Sequence, residues 1–177
     1  MEPKEIVAQA LGLLVTLICV ITPQFKKKWQ MAALAILANT LSGLNFLLLG
    51  KASACGVALV AVIQALFAIR HTKRDTAPGK LEIAVFGVLY VIGGLLPYLA
   101  TGTLASFGWL DVMPIVGALL YLGYLVQTRE QCMRGFLLAN ASVYLVYDVI
   151  IRSTQVFAQL FSLISVTVAL VRYRKRQ

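Results

Sequence analysis

Charge is scarce in this chain. Asp, Glu, Lys and Arg make up 13% of the 177 residues, about half the share found in soluble domains. Acidic residues are the scarcer sign, 7 against 16 Lys and Arg. Because 60% of the residues are hydrophobic, one soluble core of this size cannot hide the apolar surface, and lipid must be the solvent for most of it. The one histidine, His71, lies in a basic stretch, away from the structured surroundings in which an imidazole works as a proton switch. The three cysteines, Cys19, Cys55 and Cys132, are odd in number and lack metal-ligand spacing, which argues against a disulfide framework and a thiolate metal site. Nucleophile and base pairs, paired carboxylates within one helix and phosphate loops are also missing. The expectation is a protein that is not an enzyme and carries no cofactor or metal.

What charge there is falls in a pattern. A net charge of +9 would suit a nucleic-acid partner, but the basic residues sit in short breaks between apolar runs, as loops facing a cytoplasm do, so nucleic acid is an unneeded partner. Seven runs lie at roughly 6–25, 30–49, 53–71, 81–101, 106–127, 133–151 and 154–173. Each is near the ~20 residues that cross a bilayer. The break at Gly50-Lys51-Ala52-Ser53 is brief, yet one helix running through it would be about twice as long as the bilayer is thick. With the N-terminus outside, thirteen Lys and Arg fall on the inner side and only Lys4, Lys51 and Arg152 on the outer. The positive-inside rule therefore predicts an outer N-terminus and a cytoplasmic C-terminus. The first run meets its basic cluster at its far end, the reverse of a signal peptide, and is expected to stay attached as the first membrane helix.

The chain also repeats itself. Leu37-Ala38-Asn39 returns 101 positions later as Leu138-Ala139-Asn140, and at an offset of 102 the cluster Arg70-His71-Thr72-Lys73-Arg74 lies over Arg172-Tyr173-Arg174-Lys175-Arg176. A small insertion in the turn between the helices is expected to cause the one-residue drift. Such a period is too long for a solenoid and points to a duplicated half: a repeat over 6–71, a linker helix over 81–101 and a second repeat over 106–173. Three helices, a fourth and three more make the two repeats parallel, related by an axis along the membrane normal. The predicted fold is an all-α integral membrane protein, with seven transmembrane helices in one membrane domain over 1–177.

The order and spacing of several short motifs carry a resemblance. The FLLLG ending at Gly50, Met113-Pro114-Ile115-Val116-Gly117, the Thr128-Arg129 turn and the terminal Val171-Arg172-Tyr173 make the whole chain similar to the YgjV-type bacterial inner-membrane proteins. That resemblance implies a multi-pass protein of the bacterial inner membrane. More distantly, Pro23-Gln24 before a Lys cluster and Trp29 resembles the PQ-loop of SWEET and SemiSWEET sugar carriers. The second repeat has Gln127 but Val126 where that motif has proline.

Polar residues deep in apolar runs are where function is to be sought. Asn39 and Asn140 lie at matching depths in the two repeats, and two amides on a central axis suit the two ends of a small polar solute. The other reading is that each bonds a neighbouring helix. Tyr144, Tyr147 and Asp148 share a helical face with Asn140, and the first repeat sets Gly43, Phe46 and Leu47 against them. Asp148 is a candidate proton or cation site, or else pairs with Arg152 one turn on. Gln64 lies beside a seam of Ala54, Ala58, Ala61, Ala65 and Ala68 that suits close helix packing, and is placed to reach the axis. Gln155 and Gln159 either line an opening or meet water. Pro23, Pro97 and Pro114 are candidate hinges. Trp109 and Asp111 are expected at the outer interface and Trp29 at the inner one.

Together these predict a carrier of a small polar metabolite working by alternating access, with Asn39, Phe46, Gln64, Asn140, Tyr144 and Tyr147 around the solute. The alternative is a membrane scaffold or sensor subunit. The two differ at the axis: a carrier needs a hydrated cavity there, whereas a scaffold fills it with side chains.

Overall fold

Turn chemistry sets the helix ends. Gly50 and Gly102 adopt left-handed backbone, φ 71 and φ 67, which costs a residue without Cβ nothing in steric terms. Each closes a helix by sending amide hydrogen bonds back into its last turn: Lys51 to the Phe46 carbonyl at 2.8 Å, and Thr103 to that of Tyr98 at 3.0 Å. The computed structural model describes residues 3–22, 28–74, 76, 78–126 and 130–174. Among the described residues there are seven α-helices: α1 Pro3–Ile21, α2 Lys28–Leu48, α3 Ala52–Arg74, α4 Lys80–Thr101, α5 Trp109–Val126, α6 Glu130–Ile150 and α7 Val156–Arg174. A short 3₁₀ turn, Leu104–Ser106, precedes α5. No strand occurs among the described residues.

All seven apolar runs form helices, with ends within a few residues of those expected. Their suitability for a membrane is uneven. α1, Ala52–His71 of α3 and α4 are long and apolar enough to cross one, while α2, α5 and α7 hold shorter apolar stretches, Ala33–Leu48, Trp109–Tyr124 and Val156–Val168. α6 holds none among the described residues. Its run is broken by Asn140, Ser142 and Asp148, of which Asp148 turns inward and is wholly buried. Leu17, Leu59, Leu81, Val88, Ile164 and Val168 are more than half exposed, an apolar outer surface that lipid would cover.

Neighbouring helices pack in a closed order: α1 on α2, α2 on α3, α3 on α5, α5 on α6, α6 on α7, and α7 back on α1. α4 stands outside this ring, against α3 and α5. α2 and α6 sit across the ring from one another, and among the described residues their Cα atoms nowhere approach within 8 Å. One core lies between α3, α4 and α5, built on Val57, Val60, Phe86, Tyr90, Ile115, Ala118 and Leu122. A second lies on the ring axis. It joins Phe46 of α2, Ala54 of α3 and Tyr147 of α6, with Leu110, Met113, Tyr144 and Ile151 around them. The alanine seam of α3 packs as expected, with Ala54, Ala58 and Ala65 buried.

The ring has two unlike ends. Ala8 of α1, Asn45 of α2, Ser53 of α3, Tyr98 of α4, Asp111 of α5 and the turn after α6 are tied together at one. Arg70, Lys73, Arg74, Lys80 and Arg134 lie at the other, called here the basic end. There His71 is held, against expectation, by Glu82 at 2.7 Å and Thr76 at 2.8 Å, which ties the end of α3 to the start of α4.

Candidate functional site

α2 and α6 are matched helices. Each has 21 residues, and both their ends lie 102 positions apart in the chain. Their C-terminal turns match as well. Arg152 occupies the left-handed position that Gly50 holds after α2, with φ 55, and Ser153 N–H donates to the Asp148 carbonyl at 2.9 Å as Lys51 N–H does to that of Phe46. At this offset Asn45 corresponds to Tyr147 and Phe46 to Asp148. These four residues, one turn inside the helix ends, are at most 4% exposed. Phe46 and Tyr147 meet edge to face across the axis, with ring centroids 5.8 Å apart, an arrangement aromatic quadrupoles favour.

Above this layer a polar cap joins α1 and α2 to the turn between α6 and α7. Gln9 donates from Nε2 to the Arg152 carbonyl at 2.7 Å, and its Oε1 accepts from the Thr154 amide at 2.9 Å. Thr154 Oγ1 donates in turn to the Gln9 carbonyl at 2.7 Å. Asn45 Nδ2 donates to the Ala8 carbonyl, and its Oδ1 accepts from Ser153 Oγ at 3.3 Å. Ser42 Oγ donates to Gln155 Oε1 at 3.1 Å, and the Gln155 backbone N–H donates to Ser153 Oγ at 3.2 Å. The turn lies so close on α1 that a Cβ at Gly12 would stand 2.2 Å from Thr154 Oγ1. Every buried amide and hydroxyl so engaged avoids the cost of an unmet hydrogen bond.

Some groups at the cap remain unmet. Among the described residues, both carboxylate oxygens of Asp148, the Tyr147 hydroxyl and Gln155 Nε2 are buried without a hydrogen-bond partner. Gln159, in the first turn of α7, is the polar side chain that approaches Asp148, but it does not reach hydrogen-bond geometry. The ion pair of Asp148 with Arg152, one of the two expectations for this residue, does not form. α6 ends at Ile150, and the left-handed backbone at Arg152 takes it off the helical face that the i,i+4 spacing assumes.

The remaining predicted residues separate. Asn39 and Asn140 are both half-buried, each two turns before Phe46 and Tyr147 on its own helix. Asn140 Nδ2 donates to the Gly117 carbonyl of α5 at 2.7 Å. Since the helices match at 102, the Asn residues, 101 apart, are about 100° from equivalence, the same offset as Phe46 and Tyr147, which meet across the axis. The matched bounds of α2 and α6 put the offset at 102 on both sides of the Asn pair, before the turn is reached. Gln64 also turns from the axis, accepting a hydrogen bond from the Tyr90 hydroxyl of α4. Tyr144 donates to the Pro114 carbonyl at 3.2 Å, and its ring lies against Gly117, where a Cβ would stand 2.5 Å away. Phe46 and Tyr147, expected to flank a solute, close on each other instead. Pro97 and Pro114 lie inside α4 and α5. Pro23, Gln24, Gln127 and Arg129 lie outside the described residues. Asp111, at the start of α5, accepts from Tyr98 at 2.6 Å and from the Gly108 amide at 3.0 Å, while exposed Trp109 suits an interface.

Asn45, Gln9 and Ser153 have no place among the sequence candidates. The signal for Asn45 was present at the 102 offset, which lays Asn45-Phe46 over Tyr147-Asp148. Gln9 and Ser153 sit near the ends of apolar runs, where polarity is ordinary.

In comparison with known proteins, the family described as bacterial inner membrane protein, Imp-YgjV, matches residues 6–177. Neither the curated proteins nor the solved structures give a match, and the resemblance to SWEET carriers is not shown.

Proposed function

The chain belongs to the Imp-YgjV family of bacterial inner membrane proteins, and from the one-sided closure of its helix ring we propose that it carries a small polar solute by alternating access. One observation carries the reading. α2 and α6 each have a neighbouring helix on both sides, yet no residue of 33–41 or 134–140 is buried, whereas Asn45, Phe46, Tyr147 and Asp148 are. The axis is thus closed at the cap, while toward the basic end the side chains of α2 and α6 are only partly covered. With the basic end in the cytoplasm, the conformation is inward-facing. A solute enters beside Asn39 and stops at the Phe46–Tyr147 layer.

The packing order supports two parallel halves. The contacts between them, α3 on α5 and α7 on α1, are each the third helix of one half against the first helix of the other. A two-fold axis along the membrane normal relates such contacts, and α4 links the halves from outside.

The test is thiol accessibility in membrane vesicles. In a variant whose three cysteines are replaced, Asn39→Cys is expected to react with a membrane-impermeant maleimide in inside-out vesicles and to be protected in right-side-out ones. If it reacts from neither side, side chains fill the axis, and the protein is a membrane scaffold or sensor subunit.

A further inference from the structure

Alternating access at the ring axis by itself gives Asp148 no role. It is the one carboxylate among the described residues with no exposure at all, and neither oxygen has a partner. Burying an ionised carboxylate without donors or a cation costs far more than burying the neutral acid. Ion pairing is not its purpose, because Arg152 turns away. Nor does it hold the cap together by its side chain, since the cap's hydrogen bonds run through Gln9, Asn45, Ser153 and Thr154.

It is nevertheless tied to the cap through the backbone. The Asp148 carbonyl accepts from the Ser153 amide at 2.9 Å, and Ser153 Oγ bonds Asn45 at 3.3 Å, so parting the cap moves the segment that encloses the carboxyl. The titratable groups that face it are Tyr144 and Tyr147 on its own helix, with Asp111 and Tyr98 beyond Tyr147. α7 offers the uncharged Gln159, and α2 presents Asn45 and Phe46 in the same layer. No cation faces it from any of these.

We propose that Asp148 binds the proton that couples the carrier to the ion gradient. The acid is held neutral while the cap is closed, and it exchanges its proton with the outer side when the cap parts. The inference rests on the carrier reading for its purpose, but the binding of a proton is separately measurable. In the closed state the proton sits on one carboxylate oxygen; on opening it passes to water, leaving the carboxylate hydrated.

Dicyclohexylcarbodiimide tests this, because the apolar reagent adds to a protonated carboxyl in apolar surroundings and leaves an N-acylurea of the whole reagent mass on that side chain. Purified protein in micelles, treated across a range of pH and mapped by peptide mass spectrometry, is expected to carry the adduct at Asp148, with yield falling more than tenfold toward alkaline pH. Sodium chloride in place of choline chloride leaves the yield unchanged. Asp148→Asn, which keeps the shape of the neutral acid, loses that adduct while its melting temperature stays within a few degrees of the parent's. A folded wild-type protein without adduct at Asp148, a yield independent of pH, or protection by sodium overturns the proposal, the last in favour of a sodium site. Thiol accessibility at Asn39 is a separate outcome, so either reading can fail without the other.

Discussion

Asn45 and Asn140 are the same residue type in matched helices, and their surroundings set them apart. Asn45 is fully buried and satisfies both Ala8 of α1 and Ser153 of the turn after α6. Asn140 is part-buried and makes one described bond, to Gly117 of the next helix. Truncating Asn45 strands two buried groups, each worth about 1–3 kcal/mol. Truncating Asn140 removes one interhelical hydrogen bond of a kind that averages ~0.6 kcal/mol in membranes. Equilibrium unfolding in mixed micelles should therefore rank Asn45→Ala well below Asn140→Ala in stability, by at least about 1 kcal/mol. Equal effects would mean that the cap bonds contribute no more than ordinary helix packing. The contrast also shows what one-dimensional reading misses. An asparagine in an apolar run is visible in the sequence; whether it faces the axis or a neighbour depends on helix rotation, and one residue of register is about 100°.

Among the elements, α4 is held by an approach of backbones. Pro97 has no N–H to return to the Gly93 carbonyl, as any other residue at that position would. That oxygen lies against Gly56 of α3, where a Cβ would stand only 1.9 Å from it. Gly56→Ala must push α4 from α3 and loosen the Tyr90–Gln64 bond, with an overpacking cost of about 1–3 kcal/mol. Gly43→Ala is the control. Its Cβ meets Ala58 at 3.4 Å, an ordinary contact, and alanine is the better helix former by about 0.5–1 kcal/mol, so its thermal midpoint should hold or rise. Helix positions were legible because apolar runs of membrane length end at Gly50, Gly102 and the basic clusters, which are local features. The cap was not, because it depends on the chain after α6 folding back over α1. Arg152 in left-handed backbone has no local signal of the kind glycine gives, and the contact of Thr154 with Gly12 joins residues 142 positions apart.

For the whole molecule, the carrier reading makes the two ends of the ring exclusive: closing one goes with opening the other. Gly12→Ala probes this, since its Cβ displaces Thr154 and with it the bonds to Gln9. If the cap loses about 1.4 kcal/mol relative to the open state, the outward-facing population rises about tenfold. Native Cys55 reports that end, packed beside Phe46, Ala54 and Tyr147; Asn39→Cys reports the other. In vesicles of known orientation, Gly12→Ala should raise Cys55 labelling from the cap side about tenfold while lowering Asn39→Cys labelling from the basic side, each measured in a variant with the other thiols removed. A ring that is merely loosened gives a rise at both positions, because general destabilisation exposes both. Only two alternating states exchange one accessibility for the other, so the sign at Asn39 distinguishes a carrier from a scaffold that has been damaged.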